Sequence, residues 1–137
     1  MMPDLPEQPT AEELINAGSG TAEPGQGQLR TAIANALVGL KKQYYGRGPT
    51  AAKTYICDDY VFVVMEGGLT RNEETLLEAG REALVREYRL SFQEAVTNTI
   101  TSTVEALVGR RVIGYHSQIV FHPHRVFEIF VLEPEGG

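Results

Sequence analysis

Two short segments, Tyr60–Met65 and Val126–Leu132, are apolar on both alternating phases of an extended chain. A strand shows its side chains to opposite faces in turn, so a run that is apolar at odd and even positions alike needs cover on both sides. That demand narrows the available folds. A sheet holding these strands must be shielded twice, by helices of its own chain or by another molecule.

The surrounding segments supply helices for one face. From Gln28 to Tyr45, the residues Leu29, Ile33, Ala36, Leu37, Leu40 and Tyr44 recur at the spacing of one helical face. Lys41 and Lys42 fall in its last turn, where cations suit the dipole, and Gly46 suits a left-handed cap. Ala52–Cys57 and Tyr60–Met65 read as strands paired through Asp58 and Asp59. Gly67 and Gly68 close the second strand, Thr70 to Glu73 has capping-box spacing that opens a helix, and Gly80 breaks or bends it. From Arg81 to Val108 a stripe through Leu84, Val85, Tyr88, Phe92, Ala95, Val96, Thr99, Thr103 and Leu107 predicts one long helix ended by Gly109. Within it, Thr97, Thr99, Thr101 and Thr103 alternate with Asn98, Ile100 and Ser102, a β-branched period that would equally suit a strand. Val112–Phe121 and Val126–Leu132 read as strands around a turn at His122, Pro123 and His124, since proline removes a ladder bond.

The expected fold is therefore α+β. It is a two-layer sandwich with a four-stranded, mainly antiparallel sheet, chain order α-β-β-α-β-β, and one long helix. A helix over residues 81–108 would run about 42 Å, against about 23 Å for a seven-residue strand, so it overhangs the sheet. Two main helices blanket one face and not two. The expectation is a homodimer, or docking onto a larger complex, that covers the second face and the protruding helix end. The alternative cover is the N-terminal segment or residues 70–79.

Composition sets the outer limits. Residues 1–27 contain Asp4, Glu7, Glu12, Glu13 and Glu23 without a Lys or Arg, and read as a flexible acidic leader with a helical turn near residues 11–17. The domain is expected over residues 28–132, with a tail at 133–137. A net charge of −6 argues against a nucleic-acid partner, which would need clustered cations. No apolar run is long enough to insert into a membrane, and no basic and apolar signal opens the chain. With Cys57 as the one cysteine there is no internal disulfide, and a cytoplasmic setting fits.

Chemistry-bearing residues are sparse, and neither a cofactor nor a metal is expected. His116, His122 and His124 share a hairpin, but the His-Pro-His turn lacks a third ligand and reads as exposed and unliganded. His116 and Gln118 share one strand phase and face solvent or an interface. Cys57, beside two acids, reads as a buried spacer rather than a nucleophile. Asp58 and Asp59 read as turn residues, and Arg47 as a dipole partner at a helix end. Gly46-Arg47-Gly48-Pro49 follows a helix, whereas phosphate cradles precede one. No Ser, His and acid trio announces itself, so the chain is read as non-enzymatic.

The run Lys41-Lys42-Gln43-Tyr44-Tyr45-Gly46-Arg47-Gly48-Pro49, followed by Tyr55-Ile56-Cys57-Asp58-Asp59 and Glu66-Gly67-Gly68-Leu69-Thr70, resembles a family of small bacterial proteins. That family is labelled MpsC, after a Na+-translocating membrane potential-generating system. The similarity covers about residues 28–132, and Gly-Arg-Gly-Pro is its most distinctive part. The resemblance implies an accessory protein of such a system and no established catalytic residue. Two readings stand. One is an accessory or regulatory module that dimerises and docks, with a membrane ion-transport complex as partner and Gly48 and Pro49 as the loop to test. The other is a small-ligand or metabolite-binding domain whose pocket gathers Arg47, Asp59, His116 and Gln118.

Overall fold

The computed structural model describes residues 24–135, so most of the expected leader, including its helical turn, lies outside the described residues. Helix α1 spans Pro24–Tyr45 and starts ahead of Gln28, so residues 24–27 are helix rather than leader. Proline suits a first helical position because the N–H it lacks would have no helical partner. Then come β1 (Ala51–Cys57), β2 (Tyr60–Glu66), α2 (Arg71–Glu78), α3 (Glu82–Ala95), α4 (Thr97–Val108), β3 (Val112–Val120) and β4 (Arg125–Leu132). The architecture is α+β, with one four-stranded sheet in the spatial order β1-β2-β4-β3. Every strand pair is antiparallel.

Local chemistry sets the boundaries. Asp58 takes a positive φ of 52° in the β1–β2 turn, a conformation that a short polar side chain tolerates. The Thr70 hydroxyl accepts from the Glu73 amide at 3.2 Å, and the Glu73 carboxylate accepts from the Thr70 amide at 2.8 Å, completing the box that starts α2. Gly109 caps α4 in the left-handed region.

The long helix expected over 81–108 is instead two helices, of 14 and 12 residues, that meet at Val96. The Val96 amide donates to both the Phe92 and the Gln93 carbonyls at 3.2 Å, which tightens the turn. The Thr97 hydroxyl donates to the Gln93 carbonyl at 2.9 Å, competing for the acceptor that its own amide would use in a straight helix. Thr101 and Thr103 bond back to the Thr97 and Thr99 carbonyls in the same way. The strand-like alternation is thus a set of hydroxyls folded onto their own helix. The two pieces are about 21 and 18 Å long, so neither overhangs the sheet. That part of the case for a docking partner falls away.

One phase of the sheet packs under the helices. Val61, Val63, Met65, Ile119, Val126, Phe130 and Leu132 form a core with Ile33, Leu37, Ile100 and Val104. Each large side chain removed from water in this way contributes roughly 1.5–3 kcal/mol. Among the described residues no element covers the other phase: Tyr55 and Tyr60 are exposed and Phe62, Phe127, Ile129 and Val131 are partly so, while Ala51 and Val64 are buried among their neighbours. Residues 70–79, the alternative cover, form α2, which an ion pair between Glu73 and Arg89 fastens to α3 in the helical layer.

The loops that follow α1 and β2 form one joint. The Thr50 amide donates to the Glu66 carbonyl at 2.8 Å, and the Arg47 guanidinium donates to the Leu69 carbonyl at 2.8 Å. Gly68 has a φ of +90°, and a Cβ there would lie 3.0 Å from the Pro49 nitrogen and 3.1 Å from the Gly48 carbonyl. Gly48-Pro49 and Gly68 are therefore complementary halves of a backbone contact, and Gly67 meets the Thr50 side chain beside it. Gly68→Ala should lower stability by about 2 kcal/mol or more, read from the urea midpoint. Gly80→Ala, where a Cβ meets nothing but φ is also positive, should cost less.

Candidate functional site: a buried polar seam and its groove

Glu128 lies on the covered phase of β4, between Val126 and Phe130, with no solvent exposure. A buried carboxylate must be met by opposite charge and hydrogen bonds. Lys41 on α1 lies 2.9 Å from its Oε2, and Gln93 on α3 donates to the same oxygen at 2.8 Å. Ser117, opposite Glu128 in the β3–β4 register, donates to Gln93 Oε1 at 2.7 Å. One chain of bonds thus joins α1, α3, β3 and β4.

A second buried pair continues the seam. Arg89 donates to both Glu73 oxygens at 2.6 Å and to the Gly68 carbonyl at 3.1 Å. Its guanidinium sits 4.1 Å from the centre of the Tyr45 ring, and the Lys41 ammonium lies 6.0 Å from the same ring. Burial pushes the Tyr45 hydroxyl up to about 12, with Arg89 pulling the other way. Burial also pushes the Glu73 carboxyl upward, but hydrogen bonds from Arg89 and the Thr70 amide outweigh it and hold the group below the ordinary carboxylate range. The Tyr115 hydroxyl is raised by burial first and then by the Glu128 charge.

The His-Pro-His turn splits in two. His122 is exposed, with Nε2 3.3 Å from Glu82 Oε1, as the exposed-turn reading has it. His124 differs: it is half-buried and stacked on Phe121 at 5.5 Å, with Nε2 shut away from solvent. Burial, followed by the positive charge of Arg89, brings its pKa down to about 4, so the ring is neutral at pH 7.

Beyond Gln93 and Ser117 the seam opens into a groove of about 780 Å³ between α3 and β3, flanked by Arg86, Leu90, Glu94 and Tyr115. Its volume falls in the range of ligand-sized clefts.

The residues expected to share a pocket are dispersed. Arg47 is exposed, 3.8 Å from Glu74, beside a hollow of about 500 Å³ that Tyr45, Gly46, Thr70 and Arg71 also line. Asp59 lies beyond the far end of β1, paired with Arg110 at 2.6 Å. His116 and Gln118 are exposed on the bare face, opposite Ile129 and Phe127. Gly48 and Pro49 belong to the loop joint. Cys57 is exposed rather than a buried spacer, because it ends β1 on the bare phase. Among the described residues, no group of three or more His, Cys, Asp or Glu could hold a metal ion.

The seam itself escaped the sequence reading. Lys41 looked like a dipole partner, Glu73 like a cap, and Arg89 and Gln93 fell outside the apolar stripe. One signal was available: Glu128 is the one charge inside an otherwise apolar strand interior. Another was the run Val85, Arg89, Gln93, which keeps i, i+4 spacing on the buried side of α3.

These features define an α+β protein with one helical layer, an antiparallel sheet face that no described residue outside the sheet covers, and an ion-paired seam between the layers. The family model described as Na+-translocating membrane potential-generating system (MpsC) matches residues 25–134, and the chain belongs to that family. The match spans the loop joint and the whole seam. No curated protein and no solved structure matches the chain. Among the described residues no helix is long and apolar enough to cross a membrane.

Two outcomes are expected. Lys41→Met leaves Glu128 buried with its charge unmatched and should cost about 3–5 kcal/mol in chemical denaturation, whereas Lys41→Met with Glu128→Leu should cost less than that single change. The second concerns pH. Unfolded, His124 titrates near 6.5; folded, near 4. Its contribution is therefore complete above pH 6.5 and declines as the pH falls toward 4, because only the unfolded chain takes up the proton. The Glu73 contribution is lost at lower pH, below its unfolded value of 4.5. His124→Phe should flatten the stability profile between pH 6.5 and 4 and leave the lower limb intact, as urea midpoints across that range would show.

Proposed function

We propose that this protein is a non-enzymatic accessory or regulatory subunit that works by docking: two copies close over each other's bare sheet faces, and the pair serves a membrane-bound Na+-translocating system. The observation that carries this reading is the bare face. Its two central strands present Tyr60, Phe62, Phe127, Ile129 and Val131, with Phe62 and Phe127 stacked at 6.1 Å. Its edge strands present Lys53 and Tyr55 on β1 and His116 and Gln118 on β3, a more polar margin. An apolar middle inside a polar margin is the usual anatomy of a protein interface. The face measures about 19 Å by 23 Å, and sheets packed face to face share a core about 10 Å thick. A second copy brings a matching apolar surface under twofold symmetry.

The pairing of Lys41 with Glu128 and of Arg89 with Glu73 supports a non-catalytic role, although Glu128 Oε1 is buried without a hydrogen-bond partner among the described residues. The membrane connection rests on the family to which the chain belongs.

Sedimentation equilibrium tests the pairing. The wild type should sediment as a dimer, Ile129→Asp as a folded monomer by circular dichroism, and Leu107→Asp, on the helical layer, as a dimer. A monomeric wild type would overturn the pairing. For the membrane step, tagged wild type should recover integral subunits from solubilised membranes and Ile129→Asp should not; recovery of the tagged chain alone would overturn that step.

A further inference from the structure

We propose that the outer edge of β3 and the side of α3 form a docking groove for an extended peptide in which lysine or arginine alternates with apolar residues. The sheet order places β3 at an edge, with no strand beyond it among the described residues. The Arg86 guanidinium donates to the Ile119 carbonyl at 3.4 Å, so that carbonyl points away from β4. Alternation along the strand turns the amides and carbonyls of Tyr115 and Ser117 the same way.

Natural edges are usually blunted by charges or proline. Val112–Val120 itself contains no Asp, Glu, Lys, Arg or Pro, and the helical side chains that reach its backbone, Glu105 at the Val112 amide and Arg86 at the Ile119 carbonyl, lie toward its two ends, either side of Tyr115 and Ser117. The 780 Å³ groove lies along this edge, with Tyr115 and Ser117 as its floor and Leu90 in its wall. A strand added to β3 would seat every second side chain in that groove, the arrangement by which edge-binding domains combine main-chain affinity with side-chain selection.

Charge selects the occupant. Glu87 and Glu94 are exposed on the groove's rim and take part in none of the described ion pairs, while the nearest cation, Arg86, is engaged by Glu82 at 3.1 Å. The rim is therefore net negative and favours a cationic peptide. A second copy pairing along β3 would set the same two acids against this rim, which disfavours it.

The test uses the full chain and a capped, dye-labelled peptide alternating valine and lysine, with two controls: the same peptide carrying glutamate for lysine, and the lysine peptide N-methylated at alternate amides. By fluorescence anisotropy the lysine peptide should bind at least about tenfold tighter than either control, and Glu87→Lys with Glu94→Lys should reverse the charge preference. Amide exchange should slow at Tyr115, Ser117 and Ile119 on binding. Equal affinity for the lysine and glutamate peptides, no binding, or protection confined to Phe62 and Ile129 would each overturn the proposal. So would protection of the β3 amides in peptide-free protein that disappears on dilution, the mark of a second copy on this edge. Ile129→Asp, which separates the sheet-face dimer, should bind the peptide as the wild type does, so the two readings fail independently.

Discussion

A single carboxylate governs how the two layers meet. Glu128 stands on the inner phase of a central strand, where an unmatched charge would cost several kcal/mol, so Lys41 and Gln93 must both reach it. Those residues sit on α1 and α3, and their directional bonds choose the rotation of each helix in a way that apolar contact alone does not. Arg89 repeats the device one turn before Gln93, holding Glu73 at the start of α2 and the Gly68 carbonyl of the loop joint. Tyr45 lies against both cations and makes the two pairs parts of one seam.

Periodicity made most of the fold legible. Four strands, the first helix, the capping box at Thr70 and the glycine cap at Gly109 follow from local rules, and the structure reproduces them. The break at Val96 was hidden because an apolar stripe runs across it undisturbed; at the junction the Val96 amide is shared between the Phe92 and Gln93 carbonyls and the Thr97 hydroxyl also bonds to Gln93. The seam was hidden for a different reason. A buried Lys or Arg reads as a surface residue until its partner is known, and Lys41 and Glu128 are far apart in the chain. Arg47, Asp59, His116 and Gln118 failed as a pocket because sequence shows chemical type and not which end or face of a sheet a residue occupies.

The Gly-Arg-Gly-Pro loop takes on a mechanical meaning in this light. Gly48 and Pro49 belong with Gly68 because two backbones touch there, leaving no room for a side chain at Gly68. Family membership and sheet geometry then bear on different questions. The first places the chain in the MpsC family, and the second shows which apolar side chains the sheet leaves outside the helical layer.

The exposed thiol of Cys57 opens an experimental route into this molecule. It is the chain's one cysteine and ends β1 on the uncovered phase, across from Tyr60. A fluorophore or spin label coupled there by maleimide chemistry would occupy a unique position at the margin of that surface, leaving every buried group untouched. Its polarity response and inter-label separations would report directly on whatever comes to lie against the sheet.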